Sequence, residues 1–236
     1  MGHRSFPDED SLCEACGYRL HGVGGDRCPE CGLPVADSSP VRRTGLPWQR
    51  AWGVGAFVRT AAAMVRSPGG TFRRMRLSDT GWSARLFLLA NACLSGGVWL
   101  AIDLSWAGRS LFWSWGVAMA VVKSVIVLTY VEVLGLAFFS RRRGWRVSLR
   151  RAERLGGYAS VAWPAAVALL ASVHALEQRG VLAATWERWI GVWTASAKLG
   201  VLVAAAGVAM LWFEWLCWLG ARQIRYANEA EREDAA

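Results

Sequence analysis

Apolar residues run in long, barely interrupted stretches over 84–102, 111–139 and 158–176. A fourth stretch ends near Gly220 and starts between Val192 and Gly200. Each reaches the roughly 20 residues a helix needs to cross a hydrocarbon core of about 30 Å, where a helix satisfies its own backbone hydrogen bonds. The pattern predicts an all-α membrane protein: a bundle of four transmembrane helices, with room for a fifth between Val181 and Gly220. No cleavable leader is expected, because the first apolar run starts at 84 and residues 1–10 are hydrophilic.

Shorter patterns flank the spans. Over 51–66, Val54, Phe57, Val58, Ala61, Met64 and Val65 recur at helical spacing, with Arg59 and Arg66 on another face. Such a basic amphipathic helix lies on the anionic inner leaflet or packs under the bundle, and the spacing allows both. Ser67-Pro68-Gly69-Gly70 then breaks it. Trp186, Trp189, Ile190 and Trp193 repeat at helical spacing and predict a short helix in the outer interface. Pro164 is expected to kink the third span. Gly96-Gly97 and the Gly200/Ala204/Gly207 series are expected to permit close helix contact.

Ahead of the membrane segments stand two tight cysteine pairs, Cys13-Glu-Ala-Cys16 and Cys28-Pro-Glu-Cys31, each followed by glycine. In a C-x-x-C-G turn the backbone N–H groups point at the thiolates, and glycine tolerates the positive φ involved. Two such turns supply four sulfurs for a closed tetrahedral site, read here as structural Zn²⁺ in a small zinc ribbon over 1–36. The glycine-rich stretch 18–27 suits a short hairpin. So short a segment cannot hold a core of its own, so metal binding would provide much of its folding free energy. Iron, or two disulfides, compete with zinc. C-x-x-C disulfides would be strained and redox-active, and nothing nearby resembles a thioredoxin fold. Four thiolates complete the shell, which leaves His21 as an exposed loop residue. Cys93 and Cys217 read as small buried hydrophobes.

Charge orients the chain. The formal net charge is +9, with 54% apolar residues and 15 tryptophans. Arg73, Arg74 and Arg76 precede the first span, and seven arginines from Arg141 to Arg154 join the second to the third. Arg222 and Arg225 follow the last. The other two loops carry only Arg109, Arg179 and Arg188. With four spans every arginine-rich segment falls on one side, which predicts a bacterial inner-membrane protein with both termini cytoplasmic. That compartment is reducing and favours thiolate–metal bonds over disulfides. Basic residues at membrane edges are explained by topology, so nucleic acid is not expected as a partner. Trp82, Trp106, Trp113, Trp145, Tyr158 and Trp218 sit near span ends and read as interfacial anchors. The expected organisation is 1–36 ribbon, 37–83 linker and juxtamembrane segment, 84–221 membrane domain and 222–236 cytoplasmic tail.

Few polar residues interrupt the spans. Lys123 and Lys198 fall near the outer boundary, where long side chains snorkel, and His174 lies close to the same edge. Asn91, Glu132 and Glu214 sit deeper, at similar depth on three helices, and suggest one interior polar cluster. Intramembrane carboxylates cost about a few kcal/mol and are functional candidates by default. The plainer alternative is that they hold helices together by hydrogen bonding.

The stretch from Cys13 through Gly22 to Cys28-Pro-Glu-Cys31-Gly resembles the short ribbon at the front of many bacterial membrane proteins. Ser67-Pro-Gly-Gly-Thr-Phe-Arg73 resembles the pre-membrane stretch of the Yip family, whose members usually have five spans, one more than the clear runs here. The resemblance implies a non-enzymatic scaffold and carries over no catalytic residue. Consistent with that, the sequence holds no H-E-x-x-H, no G-x-S-x-G and no phosphate-binding loop. The expected partners are the lipid bilayer, a cytoplasmic protein docking on the ribbon, and in one arrangement a second copy of the chain. The alternative is a transporter or channel using Glu132 and Glu214.

Overall fold

The apolar runs fold as helices that overrun their predicted ends. In the computed structural model, which describes residues 10–78, 81–106, 110–190, 192 and 194–228, nine α-helices follow the cysteine segment. Before the first long helix come α1 (Pro47–Arg50), α2 (Val54–Arg66) and α3 (Pro68–Arg74). Then follow α4 (Trp82–Trp106), α5 (Leu111–Arg142), α6 (Leu149–Ala159), α7 (Ala162–Gln178), α8 (Val181–Trp189) and α9 (Ala195–Ile224). Helices α4, α5 and α9 are long and apolar enough to cross a membrane. A fourth crossing exists if α6 and α7, bent by 48°, act as one broken span.

That bend has a covalent cause. Pro164 is the third residue of α7. It has no N–H to offer the carbonyl of Ser160, and its ring crowds that carbonyl, so the helix breaks one turn upstream. Helix α7 alone has 17 residues, about 26 Å of rise, slightly short of a hydrocarbon core. The arginine-rich segment before it, read from sequence as a connection between spans, ends in helix α6, which carries Arg150, Arg151 and Arg154.

The chain forms two compact units. The first joins Met1–Arg85, Val133–Leu155 and Cys217–Ala236. Its core buries Met64, Phe72, Met75, Val147, Leu155 and Ile224. Gly220 lets α9 close on α3 and α6: a methyl group there would stand 2.7 Å from Leu155 and 3.0 Å from Phe72. Trp48 of α1 packs edge-on against Phe57 of α2 at 5.9 Å and donates from its ring nitrogen to the Ser83 carbonyl. Helix α2 has two distinct faces. Ala56, Thr60 and Met64 are buried, while Val54, Val58 and Val65 form an exposed apolar stripe beside exposed Arg59 and Arg66. The segment 37–47 is no slack linker. Ser38 and Arg43 are buried, two 3₁₀ turns cover Val35–Ser38 and Pro40–Arg42, and the Gly45 N–H reaches the Arg74 carbonyl.

The second unit comprises Leu86–Glu132 and Gly156–Leu216. Tyr158 does not anchor at an interface: it is fully buried, its ring 5.2 Å from Phe87. Trp163 is buried too, 4.7 Å from Phe213, and donates to the Thr129 hydroxyl. Gly96 makes the close helix contact, its α-carbon facing Ala118 and Val122 of α5, whereas Gly97, Gly200 and Gly207 face open space. Cys217 is buried as expected, but Cys93 is exposed on α4. Lys198 pairs with Glu177, and His174 stacks on Trp99 at 5.6 Å. Trp82, Trp113 and Trp218 are exposed. Trp193 and the side chains of Trp106 and Trp189 lie outside the described residues.

Candidate functional site

Two turns of the same design hold the four cysteines. In the first, the Cys13 N–H donates to the Tyr18 carbonyl, Gly17 to Cys13 and Leu20 to Ser11, all within 2.8–2.9 Å. In the second, shifted by fifteen positions, Cys28 donates to Leu33, Gly32 to Cys28 and Val35 to Asp26, again at 2.8–2.9 Å. Gly17 and Gly32 hold the matching positive φ angles, 82° and 72°. Among the described residues no strand forms: single bridges, Leu12 to Arg19 and Arg27 to Pro34, close each turn in place of the expected hairpin.

The turns bring the sulfurs of Cys13, Cys16, Cys28 and Cys31 within 4.8 Å of one another. The Sγ–Sγ distances are 3.5 Å for Cys13–Cys31 and 3.6 Å for Cys16–Cys28. A disulfide requires about 2.05 Å. A tetrahedral thiolate set with metal–sulfur bonds of about 2.3 Å requires sulfurs about 3.8 Å apart. The spacing fits the metal set, and the short contacts run between turns rather than within a C-x-x-C pair. Burial alone would raise the Cys28 thiol, but hydrogen bonds from the backbone of Cys31 and Glu30 outweigh it and hold the group down to about 7. Burial pushes Cys16 up. The four cysteines can therefore hold a metal ion. His21 is exposed and takes no part.

The two turns differ in their surroundings. The first is clamped. Asn228, just past α9, accepts from the Leu12 N–H at 3.0 Å and donates to the Leu12 and Ser38 carbonyls, both at 2.8 Å. The Tyr226 ring lies against Gly17, where a Cβ would meet it at 3.0 Å. Arg225 donates to the Ala15 carbonyl. Glu14, inside the turn, pairs with Arg43 at 2.8 Å. Burial pushes the Glu14 carboxyl above the usual carboxylate range even with Arg43 beside it. The second turn is free: Pro29, Glu30, Cys31 and Gly32 are exposed.

The intramembrane polar residues separate into two sets. Asn91 is buried on α4 and spends its amide on the Phe87 carbonyl, 2.9 Å, and the Ser160 hydroxyl, 3.2 Å. Ser160, at the α6–α7 break, is itself buried and donates its hydroxyl to the Gly157 carbonyl at 2.6 Å. Glu132 is half-buried on α5, and Glu214 is exposed on α9. The described hydrogen bonds of Asn91 thus go to Phe87 and Ser160. A further acid went unread in the sequence. Asp103, buried in α4, accepts from the Ser114 hydroxyl at 2.6 Å. It falls one position past the end of the apolar run read over 84–102, and the helix carries on beyond it.

Comparison with protein-family models, with curated proteins and with solved structures finds no match for this chain, and no family model supports the Yip resemblance of residues 67–73.

Proposed function

We propose that the chain is an integral inner-membrane protein of four spans whose cysteine module, loaded with structural zinc on the cytoplasmic side, serves as a docking element rather than a reaction centre. The observation that carries this reading is the Asn228 clasp on Leu12 and Ser38. It ties the segment before α4 to the segment after α9, and the Arg146 N–H adds the α5–α6 turn through the Arg225 carbonyl at 2.7 Å. Segments that hydrogen-bond to each other share one compartment, so the chain between them crosses the membrane an even number of times. That favours counting α6 and α7 as one broken span, in agreement with the arginine bias toward the cytoplasm.

A four-thiolate site leaves no coordination position for a substrate, which supports a structural metal. The free second turn offers Pro29 and Glu30 to a protein partner, while the clamped first turn fixes its orientation. A Yip-type scaffold agrees with this, on the strength of residues 67–73 alone. The exposed apolar stripe of α2, flanked by Arg59 and Arg66, suits the anionic inner leaflet.

Reporter fusions at Gly144 and Ala236 are expected to read as cytoplasmic, and one at Gly180 as external. An external signal from Ala236 would reject the even count. Glu132 and Glu214 support transport as a second reading, because a carboxylate exposed on a spanning helix is costly without a task. In sealed liposomes the purified protein is expected to move neither protons nor monovalent cations down an imposed gradient. A flux abolished by Glu132→Gln with Glu214→Gln would replace docking with transport.

A further inference from the structure

Within the first unit a cavity of about 650 Å³ is lined by Arg42, Arg43, Arg73, Arg74, Arg222 and Arg225. Its wall includes two acids, Glu14 and Asp37. Both are already engaged, Glu14 by Arg43 and Asp37 by Arg42. The other four arginines have no carboxylate partner among the described residues. Arg73 bonds the neutral Gln223 amide at 2.6 Å, Arg222 lies over the Trp218 ring at 5.1 Å, and Arg225 bonds a backbone carbonyl. Arg74 is exposed, with no described side-chain partner.

Positive-inside topology accounts for Arg73, Arg74, Arg222 and Arg225 lying near span ends, but not for their convergence. The fold adds Arg42 and Arg43 from the segment after the cysteines, and Arg43 is buried with its Nε unbonded. Four uncompensated guanidiniums around one concavity repel each other and focus positive potential within it. Guanidinium forks match phosphate oxygens in pairs, and a cavity of this size falls in the range of small-molecule sites.

We propose that this cavity binds a phosphate group, carried either by an inner-leaflet lipid headgroup or by a soluble phosphorylated small molecule. The site rests on the first unit alone. Only the choice of source draws on the membrane reading, so loss of this proposal would leave the metal and topology results standing.

The test uses the full chain in a neutral detergent at fixed ionic strength. It is titrated with inorganic pyrophosphate, with a short-chain phosphatidic acid, and with the matching phosphatidylcholine as the zwitterionic control. Saturable binding of pyrophosphate or phosphatidic acid is expected, weakened about tenfold or more in Arg74→Gln/Arg222→Gln. Arg141→Gln/Arg142→Gln removes the same charge from the exposed end of α5, outside the cavity lining, and is expected to stay within about twofold of wild type. Comparable affinity for both phosphates supports the site and assigns it to the phosphate group itself. Binding of phosphatidic acid alone supports it and assigns a lipid. Binding of neither, or an equal loss in both double variants, overturns it. If Arg222→Gln lowers thermal stability, Arg74→Gln alone carries the test, with an expected loss of about threefold.

Discussion

Serine at any one of Cys13, Cys16, Cys28 or Cys31 is expected to remove bound zinc almost completely, from one equivalent per chain in the wild type. The reason is the size of the metal contribution. Structural zinc sites are worth about 10–16 kcal/mol in apparent binding free energy, far more than a module of this size gains by burial. Its own cluster consists of Cys13, Leu20 and Cys28, with Cys16, Leu33 and Val35 partly buried around them. Three of these six positions, Cys13, Cys16 and Cys28, are cysteines that pack as apolar groups only while their sulfurs face a metal. Elemental analysis of the purified full-length protein, reduced throughout, gives the answer. Less than half an equivalent of zinc in the wild type, stoichiometric iron, or two disulfides resistant to alkylation would each reject the zinc site. Variants that lose the metal are also expected to become cleavable by protease within 10–36.

Asn228→Ala is expected to separate folding of the module from its placement. The substitution removes three buried hydrogen bonds and leaves the N–H and carbonyl of Leu12 and the carbonyl of Ser38 without their partner. Unsatisfied buried groups cost about 1–3 kcal/mol each, so a loss of about 3 kcal/mol is expected even after some rehydration. That is too little to unfold a metal-locked module and enough to undock it. The variant should keep one equivalent of metal while new protease cleavage appears in 37–46. Asn228→Asp should behave no better, because it keeps the acceptor for Leu12 but faces a carboxylate toward two carbonyls. Loss of metal in Asn228→Ala, or a cleavage pattern identical to wild type, would contradict the clasp.

Local chemistry was legible in the sequence and long-range chemistry was not. The cysteine spacing names all four ligands because a C-x-x-C-G turn is complete within five residues. The spanning helices follow from length and hydropathy, and the α2 pattern from its helical period. Tyr158 looked interfacial because an aromatic at the edge of an apolar run ordinarily is. Its burial depends on Phe87, brought to it from α4. The break at Ser160 follows from Pro164, yet the partner it supplies to Asn91 lies 69 positions away. Asn228 carried no signal at all, since an asparagine in a polar tail is unremarked until Leu12 and Ser38 are beside it. The arginines were each visible as topology markers, but their convergence depends on three separate stretches of chain meeting.

The clasp also imposes an order on synthesis. Leu12 and Asn228 are 216 positions apart, so the cysteine module leaves the ribosome before any spanning helix exists. It can take up metal at that moment, because its ligands lie close together in the chain. It cannot dock until residue 228 has emerged. A chain arrested before residue 228 would carry the cysteine module without the Asn228 clasp that holds it. The face of the first turn, otherwise covered by Tyr226 and Asn228, would then stand open to a protease.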